Sequence, residues 1–408
     1  MLKRILVSQV RLGMYIQELC GSWIDHPFWR KSFKLEDPDM LKKLTASAVK
    51  EVIIDISKGL DVAGTETPQK TPAPTAPTSA IVTPAPPVNK PRLDTQPVSG
   101  DQERERARKI IKDSKLAVTS MFNEVRMGNA LSAENAMPLV EEITASIARN
   151  GSALISLARL KNKDDYSYMH SVAVCALMVA LARELNLSED DVRHAGLAGL
   201  LHDIGKTAIS LDVLNKPGKL TDEEFAHVKE HPAAGHAILL QVDGIQKAAL
   251  DVCLHHHEKI DGSGYPKGLK NDEISLFAKM GAVCDVYDAV TSNRPYKDGW
   301  EPGVSLQRMA QWTTHFDGTV FKAFVKSVGI YPVGSMVMLK SGRLGVVVDQ
   351  SAKSLLTPVV KVFFSTQSKM RIPIQMIDLS KPASQDKITG HEDPVMWGIQ
   401  DINDLWSQ

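Results

Sequence analysis

The pattern of apolar and polar positions changes twice along the chain. VKEVIIDI at 49–56 alternates and is rich in β-branched residues, which predicts a strand. At 103–128, ERERARKIIKDSKLAVTSMFNEVRMG has charged and apolar residues at helical spacing with few breakers. Helices separated by loops continue to about residue 330, where short strands take over: SMVMLK, GRLGVVVDQ and VVKVFF. The sequence therefore predicts a multidomain, mainly α-helical bundle with a small α/β module before it and a small β-rich appendage after it.

A proline-rich segment separates the first module from the helices. Residues 64–98 contain nine of the 22 prolines and no aromatic residue, which indicates a flexible or polyproline-like linker. The predicted regions are an α/β module at 1–63, this linker, connecting helices at 99–149, the helical domain at 150–330, the appendage at 331–380 and a tail at 381–408. The helix at 101–127 could form a homodimer seam or pack on its own domain, and its charged surface leaves both interpretations open.

Composition and charge exclude several classes of protein. The chain has 408 residues and 43% hydrophobic content, and 48 basic residues balance 48 acidic ones. Such a balance lacks the bulk attraction that polymeric nucleic acid or a membrane surface would need. The longest apolar run, at 172–182, is shorter than the ~20 residues that span a bilayer. The N-terminus has no signal-peptide core, and four cysteines without CxxC spacing are expected to be buried thiols. We therefore expect a cytoplasmic protein without a transmembrane segment.

The histidines are concentrated in the helical domain. Nine of the 12 lie between residues 170 and 257. One histidine on an apolar helix is usually a core residue, but several imidazoles and carboxylates on successive helices can converge in a bundle core. Divalent transition metals favour such mixed ligands. The candidate metal ligands are His170, His202, Asp203, His231, His256, His257 and Asp285.

The adjacent pair His202-Asp203 indicates how many ions are bound. Consecutive helical residues diverge by about 100°, so two neighbours do not easily chelate one ion. The histidine can bind one ion while the carboxylate bridges to a second. Apolar neighbours indicate burial, and a buried carboxylate needs a cation beside it. We therefore expect two divalent ions, Mn or Fe.

The run of three histidines divides between two faces of its helix. His256 and His257 follow apolar residues by three and four positions and so continue the buried face. His255 follows Asp251 by four and lies on the polar side. The acidic and basic neighbours of His227 similarly predict a solvated face at 222–230.

Basic residues near the candidate ligands could contact a phosphate. Lys206 follows His202 by four residues, and Gly205 beside it is expected to leave room for a ligand. The alternative for Lys206 is a lysine that the helix dipole favours at a C-terminus. Arg294 and Lys297 are further phosphate contacts, because a guanidinium forks onto phosphate oxygens.

Three motifs together resemble a known family. HDIGK at 202–206, HHEKIDGSGYP at 256–266 and DVYDAVTSNRPYK at 285–297 resemble the HD-GYP family, a bacterial branch of the HD-domain metal-dependent phosphohydrolases. The resemblance covers roughly residues 150–330. The N-terminal segment around GMYI and GSWIDHPFWRKSF is similar to a domain of unknown function that often precedes HD-GYP domains.

The resemblance implies a fold, an activity and a set of site residues. The fold is an HD-type helical bundle, and the activity is hydrolysis of the second messenger cyclic di-GMP to linear pGpG or on to GMP at a two- or three-metal centre. It makes the seven residues above the metal ligands, with Asp203 and Lys206 catalytic. It places the following residues near the substrate phosphates: Lys206, Tyr265, Arg294 and Lys297.

One position departs from the three-metal pattern of the family. Members with a third ion carry a glutamate one helical turn before the first histidine, and Tyr166 stands there in this chain. Neither Asp164 nor Asp165 sits at the same angle. The departure favours two ions and leaves open whether the linear product is cleaved further to GMP.

Two alternatives remain open from the sequence. The protein could be a catalytically weak receptor or adaptor that docks on diguanylate cyclases (GGDEF proteins) through its GYP loop and β appendage. It could also hydrolyse another cyclic dinucleotide or a phosphorylated alarmone. The complete set of ligands favours an active phosphodiesterase over the adaptor.

Overall fold

The computed structural model describes residues 2–19, 32–47, 49–62, 94–129, 131–161, 166–216, 218–292, 299–351 and 354–407. These residues form two compact units, divided between residues 93 and 94. Each unit has a core of its own. The architecture is the predicted one, a mainly helical bundle with small antiparallel sheets near the two ends of the chain.

The first unit is a four-stranded antiparallel sheet with one helix. Its elements are β1 Leu2–Leu6, β2 Tyr15–Leu19, β3 Phe33–Lys34, α1 Pro38–Thr45 and β4 Glu51–Asp55. The strand order is β1-β4-β2-β3, so the predicted strand VKEVIIDI is central. Its alternation buries Val52 and Ile54 completely, together with Leu44 of α1. Asp37 caps α1 by accepting a hydrogen bond from the main-chain nitrogen of Asp39.

Among the described residues, the helical bundle of the second unit contains twelve helices. They are α2 Gly100–Arg126, α3 Ala133–Arg149, α4 Gly151–Ala158, α5 Tyr166–Glu184, α6 Glu189–Leu201, α7 Leu211–Leu214, α8 Asp222–Val228, α9 His231–Leu239, α10 Lys247–His255, α11 Leu276–Thr291, α12 Pro302–Ala310 and α13 Gly318–Val328. A 3₁₀ helix at Ile204–Ala208 follows α6. No helix of the described residues is long and apolar enough to cross a membrane.

The helix α5 lies at the centre of the bundle and positions the site. Its apolar run at 172–182 is buried throughout, and it packs against α6 and α11. A Cβ added to Gly199 of α6 would lie 2.9 Å from the carbonyl oxygen of Val174 and 3.0 Å from Cα of Cys175. The absence of that Cβ allows α5 and α6 to approach closely. Histidines on the two helices are thereby brought within bonding reach of one ion.

The predicted helix at 101–127 is α2, and it packs on its own unit. Its buried face includes Ala107, Ile110, Val118 and Phe122, and it packs against α3, α4 and α5. Of the two interpretations open from the sequence, this contact supports packing on the domain. The homodimer remains a prediction.

The C-terminal appendage is a five-stranded antiparallel sheet that extends further than predicted. Its elements are β5 Met336–Leu339, β6 Arg343–Asp349, β7 Val359–Ser365, β8 Met370–Asp378, β9 Ile388–His391 and the terminal helix α14 Asp404–Ser407. The order is β8-β7-β6-β5-β9. Because β9 pairs with β5, the sheet does not end at residue 380. The sequence of β9, ITGH, does not alternate between apolar and polar residues. The strand is therefore identified by its pairing with β5 and not by a pattern of its own.

Three of the four cysteines have the predicted environment. Cys175, Cys253 and Cys284 are buried free thiols, and burial raises the pKa of each. Cys20 lies outside the described residues.

Candidate metal centre

The structure brings all seven predicted ligands to one place in the helical unit. His170 comes from α5, His202 and Asp203 from the junction after α6, His231 from the start of α9, His256 and His257 from the end of α10, and Asp285 from α11. Six of the seven are at most 7% exposed. His257 is the exception, with a side chain that is 23% exposed. Burying so many imidazole and carboxylate groups is costly unless hydrogen bonds, opposite charges or a metal ion compensate for the loss of water.

Main-chain carbonyl groups orient three of the imidazole rings. Nδ1 of His202 lies 2.8 Å from the carbonyl oxygen of Gly199, and Nδ1 of His231 lies 2.7 Å from that of Val228. Nδ1 of His256 lies 2.9 Å from the carbonyl oxygen of Val252. A carbonyl only accepts, so each Nδ1 carries the proton and donates. Each Nε2 is then left with a lone pair that points into the centre.

The imidazoles form two groups. The Nε2 atoms of His231 and His256 are 3.3 Å apart, and those of His170 and His202 are 3.2 Å apart. His257 completes the first group and Asp285 the second, with all ligand atoms of a group within 4.8 Å of one another. Two acceptor nitrogens at such a distance repel unless a cation or a proton lies between them. These donor sets, and the overlapping set of His202, Asp203 and His256, could therefore hold metal ions.

Asp203 lies between the two groups. Its Oδ1 is 3.2 Å from Nε2 of His231, and its Oδ2 is 3.3 Å from Nε2 of His202. Oδ1 is buried and has no hydrogen-bond partner among the described residues. A buried, unsatisfied carboxylate oxygen is costly, and a divalent cation would satisfy it. The residues present thus fit bound metal ions.

The protonation states of the centre suit metal binding. Burial, together with the imidazoles around it, holds the pKa of His256 well below its ordinary value, and burial lowers the pKa of His257 to about 3. Burial would raise the pKa of Asp203, but Lys206 and His202 outweigh it and the pKa falls well below the ordinary value. The pKa of Asp285 is lowered in the same way, because the contacts with His170 outweigh burial. Neutral imidazoles and anionic carboxylates are the forms that bind metals.

A second layer of contacts, which the sequence analysis missed, orients His170. Oδ2 of the buried Asp288 lies 2.6 Å from Nδ1 of His170. Asp288 in turn pairs with the ammonium of Lys161, which also donates to Oγ of Ser292 at 3.0 Å. Burial lowers the pKa of His170, but hydrogen bonds to Asp285 and Asp288 outweigh burial, and the pKa is raised. A cation that binds there would displace that proton.

Only part of this second layer had a signal in the sequence. Asp288 follows Asp285 by three residues, so both lie on one face of α11, and this spacing could have identified it. Lys161 lies outside every motif and had no such signal.

Lys206 lies beside Asp203, on the more exposed side of the centre. Its ammonium contacts Oδ2 of Asp203, and its side chain is 25% exposed. The expectation for Gly205 was wrong: a Cβ there would lie 1.9 Å from the carbonyl oxygen of His231 and 2.4 Å from the main-chain nitrogen of Gly235. The glycine makes room for the main chain of α9, not for a ligand. This close contact sets His231 beside Asp203.

The GYP loop (residues 258–270) folds back over the end of α10. Buried Glu258 accepts hydrogen bonds from the main-chain nitrogens of Lys267 at 2.7 Å and Leu269 at 3.0 Å. A Cβ on Gly264 would lie 2.5 Å from Cα of Glu258, so only glycine fits this contact. The next ring, Tyr265, stacks on His257 with 4.7 Å between ring centres. We use "the mouth" below for Lys206 and Tyr265, which border the centre on its exposed side.

The remaining predicted residues divide into two groups. His255 faces away from the centre, with Nδ1 2.7 Å from Oδ1 of Asp251, on the predicted polar side. Arg294 and Lys297 lie outside the described residues, as do Asp164, Asp165 and the side chain of Tyr166. Their predicted roles stay predictions.

Comparison with known proteins gives matches over the whole chain. The model of a family described as "HD domain" matches residues 144–320, and that of a "Domain of unknown function (DUF3391)" matches residues 2–136. The chain is 53% identical over 408 residues to a cyclic di-GMP phosphodiesterase of Pseudomonas aeruginosa, covering 100% of this chain and 96% of that protein.

Two further relatives each match less than half of the chain. A cyclic di-GMP phosphodiesterase response regulator of Xanthomonas campestris is 48% identical over 128 residues, which are 31% of this chain and 34% of that protein. A 3′3′-cGAMP-specific phosphodiesterase of Vibrio cholerae is 36% identical over 171 residues, 42% of this chain and 37% of that protein. With the full-length relative and the HDIGK and GYP motifs at the centre described above, the chain belongs to the HD-GYP branch of the HD-domain family, with a DUF3391 domain at its N-terminus.

Proposed function

We propose that this protein is a two-metal phosphodiesterase that opens cyclic di-GMP to linear pGpG. The observation that carries the proposal is the position of Asp203, whose two oxygens face two separate imidazole groups at 3.2 and 3.3 Å. The substrate is supported by the relative that is 53% identical over the full chain and is named a cyclic di-GMP phosphodiesterase.

The two groups of ligands would hold one ion each, with Asp203 bridging them. One group contributes His231, His256 and His257, and the other contributes His170, His202 and Asp285. Mixed imidazole and carboxylate ligands suit Mn or Fe. Divalent ions at such a centre activate water for attack on phosphorus and stabilise the charge that gathers on the phosphate oxygens.

The mouth would bind the phosphate that is cleaved. The ammonium of Lys206 lies beside Asp203 and is partly exposed, so it can neutralise a phosphate oxygen or donate to the leaving oxygen. Burial and the carboxylates of Asp285 and Asp203 raise the pKa of Tyr265. Its hydroxyl therefore stays protonated and can donate a hydrogen bond to the same phosphate. Arg294 and Lys297 are proposed as further phosphate contacts.

The proposed product is the linear dinucleotide. Tyr166 stands where the family's three-metal members carry a glutamate, which would remove a ligand of the third ion. Cleavage of pGpG to GMP should then be slow compared with ring opening.

The comparisons also favour a second substrate. The relative from Vibrio cholerae that is 36% identical over 171 residues is named a 3′3′-cGAMP-specific phosphodiesterase. Opening of 3′3′-cGAMP is therefore the competing hypothesis for the same centre. A docking role on diguanylate cyclases would not need so complete a set of buried ligands.

The test compares metal content and products. Protein purified without oxygen would be stripped with a chelator and reloaded with Mn or Fe, and ions per chain would be measured. Each form would then be incubated with cyclic di-GMP or 3′3′-cGAMP and the products separated by chromatography. Two ions per chain and metal-dependent formation of pGpG are expected. A reloaded protein that leaves both nucleotides intact would overturn the proposal, and faster opening of 3′3′-cGAMP would change the substrate.

A further inference from the structure

Two side chains on and just after α8 lie next to the GYP loop and take no part in the metal centre. Phe225 is 50% exposed, unusual for a ring of its size. Lys229 follows it by one helical turn and caps the C-terminus of α8. The sequence predicted a solvated face here, and the acidic residues of the helix agree with that prediction. Phe225 and Lys229, called the outer pair below, differ from these acidic residues. They contact each other, and Lys229 also contacts Tyr265 of the GYP loop.

The ammonium of Lys229 lies between two aromatic rings. Its Nζ is 5.1 Å from the ring centre of Phe225 and 5.9 Å from that of Tyr265. A lysine and a phenylalanine four residues apart on a helix often meet, but the contact with Tyr265 comes from a different segment of the chain. The outer pair is therefore held beside the mouth by tertiary structure.

No carboxylate among the described residues forms an ion pair with Lys229. Glu224 and Glu230 are close to Lys229 in the sequence, but both contact other side chains. Glu224 pairs with Lys216 at 2.7 Å, and Glu230 lies 3.0 Å from Nδ1 of His227. An ammonium without a counter-ion next to a phosphate-binding centre is available for an anion.

The outer pair extends a line of contacts that begins at the metal centre. His257 stacks on Tyr265 with 4.7 Å between ring centres, and Tyr265 leads to Lys229 and then to Phe225. Each step is between 4.7 and 5.9 Å. When one phosphate of a nucleotide lies at the metal centre, the rest of the nucleotide can extend past Tyr265 to Lys229 and Phe225.

We propose that the outer pair forms a subsite for the half of the cyclic dinucleotide that is not cleaved. A cyclic dinucleotide has two phosphates, of which only one can lie at the metal centre. Lys229 takes the second phosphate as a charge-assisted contact, and a purine base stacks on the exposed face of Phe225. The inference rests on the proposed function, because it assumes that a cyclic dinucleotide is the substrate.

The experiment compares the dinucleotide with a small diester on the metal-loaded full-length protein. The variants are Phe225→Ala, Phe225→Trp and Lys229→Met. The controls are Leu240→Ala, at a residue 57% exposed after α9, and Lys381→Met, at a side chain 72% exposed in the appendage. The readout is kcat/KM for cyclic di-GMP divided by kcat/KM for bis(p-nitrophenyl) phosphate, with metal content and thermal melting measured in parallel.

Loss of one stacked base should lower this ratio about tenfold to a hundredfold in Phe225→Ala, mainly through KM. Lys229→Met should lower it about tenfold, Phe225→Trp should restore it, and the two controls should match the wild type. A ratio within about twofold of wild type in both Phe225→Ala and Lys229→Met, or equal losses in the controls, would overturn the inference alone.

Wild-type protein that neither binds nor opens cyclic di-GMP or 3′3′-cGAMP would overturn the proposed function and the inference together. A variant that fails to fold is replaced by Phe225→Leu or Lys229→Gln and judged by the same ratio.

Discussion

The metal centre and its surroundings on the exposed side hold their side chains in different ways. Six of the seven candidate ligands are at most 7% exposed, and main-chain carbonyls fix the rings of His202, His231 and His256. The mouth and the outer pair are partly or half exposed. Ring contacts position the side chains of Tyr265 and the outer pair, and the contact with Asp203 positions that of Lys206. The buried side chains of the centre are held in one geometry, which diester hydrolysis needs for any substrate. The exposed side can differ between enzymes, so it is where the choice of nucleotide should lie.

The largest effect is expected from Asp203→Asn. The amide keeps the shape of the side chain but removes the charge that faces both imidazole groups. We expect fewer than one ion per chain and a loss of diester hydrolysis of about a thousandfold or more, for cyclic di-GMP and the small diester alike. Metal analysis and product chromatography measure the two effects. The matched control is Asp190→Asn on α6, where the carboxylate is exposed and pairs with Arg193.

If Asp203→Asn retained two ions, the bridging role would be wrong. If it lost activity on one substrate only, the contrast between a general centre and a selective exposed side would fail.

A smaller effect on metal binding is expected from Asp288→Asn. This residue touches no ion in our proposal, but it orients His170 at 2.6 Å. Loss of a carboxylate behind a metal-binding histidine typically weakens metal affinity about 10- to 100-fold. Mn titration by calorimetry measures the affinity. Because the substitution also breaks the buried ion pair with Lys161, at a cost of about 3–5 kcal/mol, circular dichroism must show that the variant is folded.

Asp190→Asn again serves as the control for removal of an aspartate charge. An Mn affinity of the folded Asp288→Asn protein within about twofold of wild type would mean that this layer stabilises the fold and does not tune the centre.

The third effect should change substrate use more than metal binding. In Gly264→Ala the new Cβ would lie 2.5 Å from Cα of Glu258 and 2.6 Å from the carbonyl oxygen of His257, so the GYP loop must move. Tyr265 would move with it, and we expect kcat/KM for cyclic di-GMP to fall about tenfold, as for a misplaced binding group. Metal content should stay near that of the wild type.

Gly318→Ala is the matched control, because an added Cβ meets nothing within 4 Å in α13. Equal kinetics for Gly264→Ala and the control would show that the position of the loop does not matter. Loss of metal in Gly264→Ala would show that the loop belongs to the centre rather than to its mouth.

The same contrast explains what the sequence could predict. The candidate ligands could be predicted because imidazole and carboxylate are rare in apolar helices, so His170 and Asp285 stand out without any knowledge of tertiary structure. Phe225 and Lys229 did not stand out, because one ring and one charge among acidic residues are typical of a solvated helix. Their significance depends on Tyr265, which lies 36 residues after Lys229 in the chain and which only the fold places beside it.

Glycines and strand edges show the same limit. Gly205 was expected to open space for a ligand, yet the carbonyl oxygen of His231 fills that space. The strand β9 has no pattern of its own and forms because β5 offers an unpaired edge. By contrast, the continuous apolar run of α5 and the alternation of β4 are local patterns in the sequence, and both elements were predicted.

The smallest effect is expected from His255→Ala, within the run of three histidines. Its ring points away from the centre to Asp251, which also accepts a hydrogen bond from Ser275 at the start of α11. Removing the ring leaves that second contact in place, and a partly exposed pair contributes about 0–1 kcal/mol. We expect wild-type metal content, activity within about twofold and a slightly lower melting temperature. The neighbouring His256→Ala, one residue along, should lose metal and activity together. If the two variants behaved alike, in either direction, the division of the run between a buried and a polar face would be wrong, and with it the assignment of ligands by helical position.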